Sequence, residues 1–195
     1  MNFIQKQISK RKTLTNELRL QNFFIILIFL GIPLNLYKNS SYDNSWTIGE
    51  WLISYSGGFV RRGLPGELIH IISEGFTISP IFIVWFLCII SIISLAIIVL
   101  YFGNQYFDKS FLLSQVIILA PISEDFFIRK DVFLVLLFGL CLLTLEKTFE
   151  GFLKKYNCII IINIISIVGI LSHEGFGIWG LPSISLILFI YSRSH

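Results

Sequence analysis

The chain has 195 residues, 55% of them hydrophobic and 14% charged, with a mean hydropathy of +0.80. A soluble domain carries about 25% charged residues. Here the apolar residues fall in runs, which excludes a soluble globular domain and indicates an all-α, multi-span membrane protein. A formal charge of +3 with no basic stripe excludes nucleic acid as a partner.

Residues 1–21 form a basic arm with Lys6, Lys10, Arg11, Lys12 and Arg19. The apolar run that follows has no small-x-small cleavage site after it, so it reads as a retained first span over 22–37 and not as a signal peptide. Residues 22–195 form the transmembrane domain, a bundle of about six spans near 22–37, 80–102, 111–122, 132–145, 158–171 and 178–191. Cys88, Cys141 and Cys158 all lie inside apolar runs without metal-ligand spacing, so they read as small hydrophobes and no disulfide is expected.

Between the first two spans lies a large polar loop, 38–79. Trp46, Ile48, Trp51, Leu52 and Tyr55 recur at roughly helical spacing after the capping residues Asp43, Asn44 and Ser45, which predicts a helix in the membrane interface. Gly57-Gly58 ends it. Pro65 is placed to start a second helix with Leu68, Ile69, Ile71 and Ile72 on its buried side, and Gly75 and Pro80 close the loop.

Orientation follows from the positive-inside rule. With a cytoplasmic N-terminus, ten of the fifteen basic residues lie inside, and eight of the twelve acidic ones lie outside. The large loop, the short loop 123–131 and the His173-Glu174 motif then share the extracytoplasmic face. The expected location is a bacterial inner membrane, with membrane lipids as neighbours.

Three motifs on that face carry candidate chemistry. Arg61-Arg62, set among Gly57, Gly58, Gly63 and Gly66, offers planar donor forks suited to phosphate or pyrophosphate, and the glycines permit close backbone approach. Snorkelling to lipid headgroups is the alternative role for both arginines. Among the carboxylates, Asp43, Glu50 and Asp131 are candidate general bases, because a carboxylate at a membrane boundary is readily tuned. Solvated charges or local pairs, such as Arg129 with Asp125, are the alternative, and solvation or helix capping is the stronger reading for Glu67 and Glu74. His173-Glu174 lacks the second histidine of a zinc-protease motif, since Gly177 stands there. It is read as binding a metal, orienting an acceptor, taking a proton or making a structural hydrogen bond. Arg61, Arg62, Arg129, Lys130, His173 and Glu174 are the candidate substrate and phosphate ligands.

The topology, the acidic first loop and Arg129-Lys130-Asp131 just before the fourth span resemble the N-terminal half of a GT-C-type membrane glycosyltransferase. Gly57-Gly58-Phe59-Val60-Arg61-Arg62-Gly63-Leu64 and Ser172-His173-Glu174 are similar to motifs of bacterial multi-span proteins of surface-polysaccharide synthesis. The resemblance implies inverting transfer from a polyprenyl-phosphate sugar to a glycan acceptor on the outer face. Asp43 or Glu50 would be the base, Asp131 would assist with base or metal work, and Arg61, Arg62 or Arg129 would hold phosphate. A divalent cation is one candidate cofactor, and other envelope-assembly proteins are candidate partners. Two departures are visible. Asp43 stands without a second acidic residue beside it, and the chain ends after six expected spans, as a truncated product or a fragment would. The rival functions are a polymerase of lipid-pyrophosphate-linked repeats, a flippase of anionic glycolipid and a non-catalytic membrane subunit.

Overall fold

The computed structural model describes residues 46–60, 62–106 and 129–194. The expected spans 22–37 and 111–122, the basic arm, Asp43 and Arg61 lie outside the described residues. The described chain is all-helical. Helix α1 is Trp46–Trp51, α2 Leu64–Phe76, α3 Pro80–Tyr106, α4 Lys130–Phe149 and α5 Lys155–Ser172. A π-helical turn, Phe176–Gly180, leads into α6, Leu181–Ser194.

Among the described residues, three helices are long and apolar enough to cross a membrane: Pro80–Phe102 within α3, Lys130–Phe149 and Lys155–Ser172. A shorter apolar stretch spans Phe176–Phe189. Hydroxyl and amide side chains within these helices bond back to a carbonyl one turn earlier: Ser91 to Leu87, Thr144 to Leu140, Asn163 to Ile159 and Ser172 to Val168. Such back-bonding satisfies polar groups where lipid supplies no partner.

Helix α4 is the centre, packing on α3 along one side and α5 along the other. The first apolar core joins Ile48, Trp51, Ile69, Val84, Cys88, Ile92 and Val132, which ties the loop helices α1 and α2 to α3 and α4. The second joins Leu134, Leu137, Cys141, Cys158, Phe176 and Ile184, which ties α4 to α5, the π-turn and α6. Phe133 packs against both cores. The three cysteines are free and buried.

Helix α2 corrects one sequence expectation. Pro65 stands in its first turn, as expected, but only Pro65, Gly66 and Ile69 are buried. Leu68, Ile71, Ile72 and Phe76 are exposed. At about 100° per residue Leu68, Ile71 and Ile72 flank the buried arc on one side, Phe76 falls within that arc but beyond the core at the helix end, and Glu67, His70 and Glu74 occupy the remaining arc. A helix with one buried strip beside exposed apolar and charged faces has the pattern of one lying at a membrane interface. The helix runs through Gly75, and Thr77 takes the left-handed cap at φ 54°, donating its N–H to the Ser73 carbonyl.

Candidate functional site

The loop between α1 and α2 is folded tightly on itself. The backbone N–H of Tyr55 donates to Glu67 Oε2 at 3.0 Å, so Glu67 closes the loop, where solvation or helix capping was expected of it. Gly66 abuts the backbone at Ile53, where any Cβ would collide with the Ile53 carbonyl oxygen. Gly58, at φ 114°, turns the chain after Tyr55 in a conformation that few other residues adopt. These constraints bring Arg62 back over the bundle.

Arg62 meets Glu174, 112 residues away, in a two-point ion pair. Its Nε donates to Oε2 at 3.0 Å and its Nη2 to Oε1 at 2.6 Å. Nη1 lies 3.8 Å from Glu50 Oε1 on α1. Beneath them Lys130, only 1% exposed, donates its Nζ to the Arg62 carbonyl at 3.0 Å. Two cations and two carboxylates from four separate segments thus gather at one end of the bundle. The hydrogen bonds from Arg62 draw the Glu174 carboxyl down to about 2, and the same bonds raise the Arg62 guanidinium above its ordinary value.

Asp131 does not join them. It is 53% exposed on its side chain and pairs with Arg129, Asp131 Oδ2 lying 3.1 Å from Nε. The Arg129 guanidinium lies 5.4 Å from the ring centre of Trp46, one turn before Glu50 on α1. Lys130 and Asp131 are consecutive on the first turn of α4, so their side chains leave about 100° apart. One is turned inward and the other outward. The alternative of Arg129 with Asp125 cannot be placed, because Asp125 lies outside the described residues.

His173 is structural in its contacts. It ends α5, its N–H donating to the Gly169 carbonyl, and its Nδ1 accepts the Gly175 N–H at 3.0 Å. That leaves Nε2 as the ring position open to another group. Among the described residues no group of three or more His, Cys, Asp or Glu is arranged to hold a metal. His70 pairs with Glu74 at 3.4 Å on the water face of α2, away from the cluster.

Glu50, Arg62, Lys130 and Glu174 are all candidates from the sequence, but nothing in it pairs them. Lys130, expected as a phosphate ligand, is instead turned inward to the Arg62 carbonyl, and its burial carries no local signal except its place at the start of an apolar run. At the opposite end of the bundle Lys147 donates to Tyr101 Oη at 2.6 Å and to Glu150 Oε2 at 2.7 Å, and lies over the Phe152 ring. From Lys130 to Lys147 α4 rises about 26 Å, close to the thickness of a hydrocarbon core.

Over residues 23–184 the chain matches the model of the family described as Uncharacterised membrane protein Rv1490. No curated protein and no solved structure matches it.

Proposed function

The chain belongs to the Rv1490 family of membrane proteins, and from the geometry of its charged cluster we propose that it is a glycosyltransferase-like protein of cell-envelope polysaccharide assembly. In this reading it moves a sugar from a polyprenyl-phosphate donor to a glycan acceptor at the extracytoplasmic face of a bacterial inner membrane. The positive-inside count supports an extracytoplasmic face for the Arg62 end of the bundle. The observation that carries the reading is the guanidinium of Arg62 held between two carboxylates at one end of a membrane bundle.

The chemistry needs a base for the acceptor hydroxyl and a cation for the departing phosphate. In this reading Glu50, one quarter exposed and 3.8 Å from Arg62, is the base. Its carboxylate takes the hydroxyl proton as the acceptor oxygen bonds to the anomeric carbon. The bond from that carbon to the phosphate oxygen breaks, and the electron pair leaves with the phosphate. Arg62 meets the charge that develops there. Lys130 fixes the Arg62 carbonyl, so the backbone beneath the guanidinium stays in place.

A second reading, a non-catalytic membrane subunit, is favoured by one observation: Arg62 is already paired with Glu174, and Arg129 with Asp131. The two separate in membranes supplied with a labelled polyprenyl-phosphate sugar and a glycan acceptor. Enzymatic function predicts transfer that falls at least about 100-fold in Arg62→Ala and in Glu50→Gln. Absence of transfer by folded wild-type protein, or transfer indifferent to both substitutions, contradicts it. Movement of the lipid across the bilayer without transfer points to a flippase.

A further inference from the structure

Glu174 presents two oxygens to the Nε and Nη2 of Arg62. A phosphate can engage the same edge of a guanidinium, also through two oxygens. The pair is not sealed in the bundle, since the side chains of Arg62 and Glu174 are 35% and 40% exposed, so a second anion can approach it. The backbones on both sides are fixed independently of the pair. Lys130 holds the Arg62 carbonyl. The Glu174 backbone lies between α5 and the π-turn, where the Phe176 N–H donates to the His173 carbonyl and the Gly177 N–H to the Glu174 carbonyl. Exchange of partners therefore needs side-chain rotation only.

We infer that Glu174 is an internal stand-in for the substrate's phosphate, holding the Arg62 fork between turnovers and giving it up to an incoming phosphate monoester or diester. The inference rests on the phosphate-binding role proposed for Arg62. It adds a selection rule. An anion must offer two oxygens to the fork to displace a carboxylate already bound through two, so neutral lipid alcohols are refused. It also supplies a release step, because the displaced carboxylate repels the phosphate left after transfer and returns to the fork. Proton uptake does not open the pair at ordinary pH, because the Glu174 carboxyl is held at about 2. The trigger is a competing anion.

The test is equilibrium binding to the purified full chain in nanodiscs of uncharged lipid, with dodecyl phosphate, inorganic phosphate and dodecanol as probes. Glu174→Gln should tighten dodecyl phosphate binding about fivefold to tenfold, since a competitor worth about 1 kcal/mol is removed. Glu174→Asp, which keeps the charge but withdraws it by one methylene, should tighten binding less and serves if the Gln variant does not fold. Arg62→Ala should abolish phosphate binding in either background, and dodecanol binding should not change. Tightening for dodecyl phosphate alone assigns the site to lipid phosphates, and equal tightening for inorganic phosphate assigns it to phosphate at large. Equal or weaker phosphate binding in both folded Glu174 variants overturns the inference. No sugar is present in these measurements. Tightened binding without sugar transfer therefore keeps the stand-in and discards the enzyme. Arg62-dependent transfer without tightening does the reverse.

Discussion

At the scale of single residues, the contrast between Lys130 and Asp131 is instructive. Both are charged and adjacent, yet one is buried under Arg62 and the other is half-exposed beside Arg129. Helix phase separates them, and the sequence could not set that phase because it placed the start of the span at 132, two residues too late. Lys130→Met keeps the apolar stem but orphans the Arg62 carbonyl, which should cost about 1–3 kcal/mol in an unfolding titration. The Arg62–Glu174 pair is worth less, because it is open to water. A double-mutant cycle of Arg62→Ala and Glu174→Gln should return a coupling of about 1 kcal/mol. Its pH dependence has a definite sign. Glu174 is depressed from 4.5 to about 2, so the stabilisation is complete above the ordinary value and is lost as pH falls through the folded one. The coupling should stay constant from about pH 8 to about pH 5 and vanish only in strong acid. A coupling that disappears near pH 5 would mean that Arg62 is not the partner.

Elements were legible to different degrees. The apolar runs behind α3, α4 and α5 announce themselves, because a membrane span must be apolar for its full length. The structure lengthens each: 80–102 becomes Pro80–Tyr106, and 158–171 becomes Lys155–Ser172. Surface helix α2 was legible as a helix but not in its faces, since lipid and core both accept Leu and Ile. Its Thr77 cap was hidden as well, because Gly75 is the residue expected to end a helix and Thr the one expected to avoid φ 54°. Thr77→Asn should relieve that strain and stabilise the protein by about 1 kcal/mol, seen as a raised melting temperature in detergent. Gly169 is a packing notch on α5. A Cβ there would run into the Phe176 ring of the π-turn. Gly169→Ala should destabilise by about 1–3 kcal/mol, and Phe176→Leu should recover part of that loss if the ring is the obstacle.

On the scale of the whole molecule, α4 divides two apolar cores and carries charge at both ends, Lys130 at one and Lys147 at the other. The sequence placed the large loop, the segment before the fourth span and His173-Glu174 on one membrane face. The described residues put Glu50, Arg62, Lys130 and Glu174 at one end of the bundle. What no local pattern contains is the pairing, because Arg62 and Glu174 lie 112 residues apart and any carboxylate on that face could have met the arginine. The measurement that bears most directly on the account is a charge exchange, comparing Arg62→Glu, Glu174→Arg and the double variant for thermal stability and for sugar transfer. The account predicts that each single variant is destabilised, that the double variant recovers stability because the pair is restored in reverse, and that transfer stays lost because the guanidinium has left the loop. A double variant no more stable than the singles, or one that transfers sugar like the wild type, would contradict it.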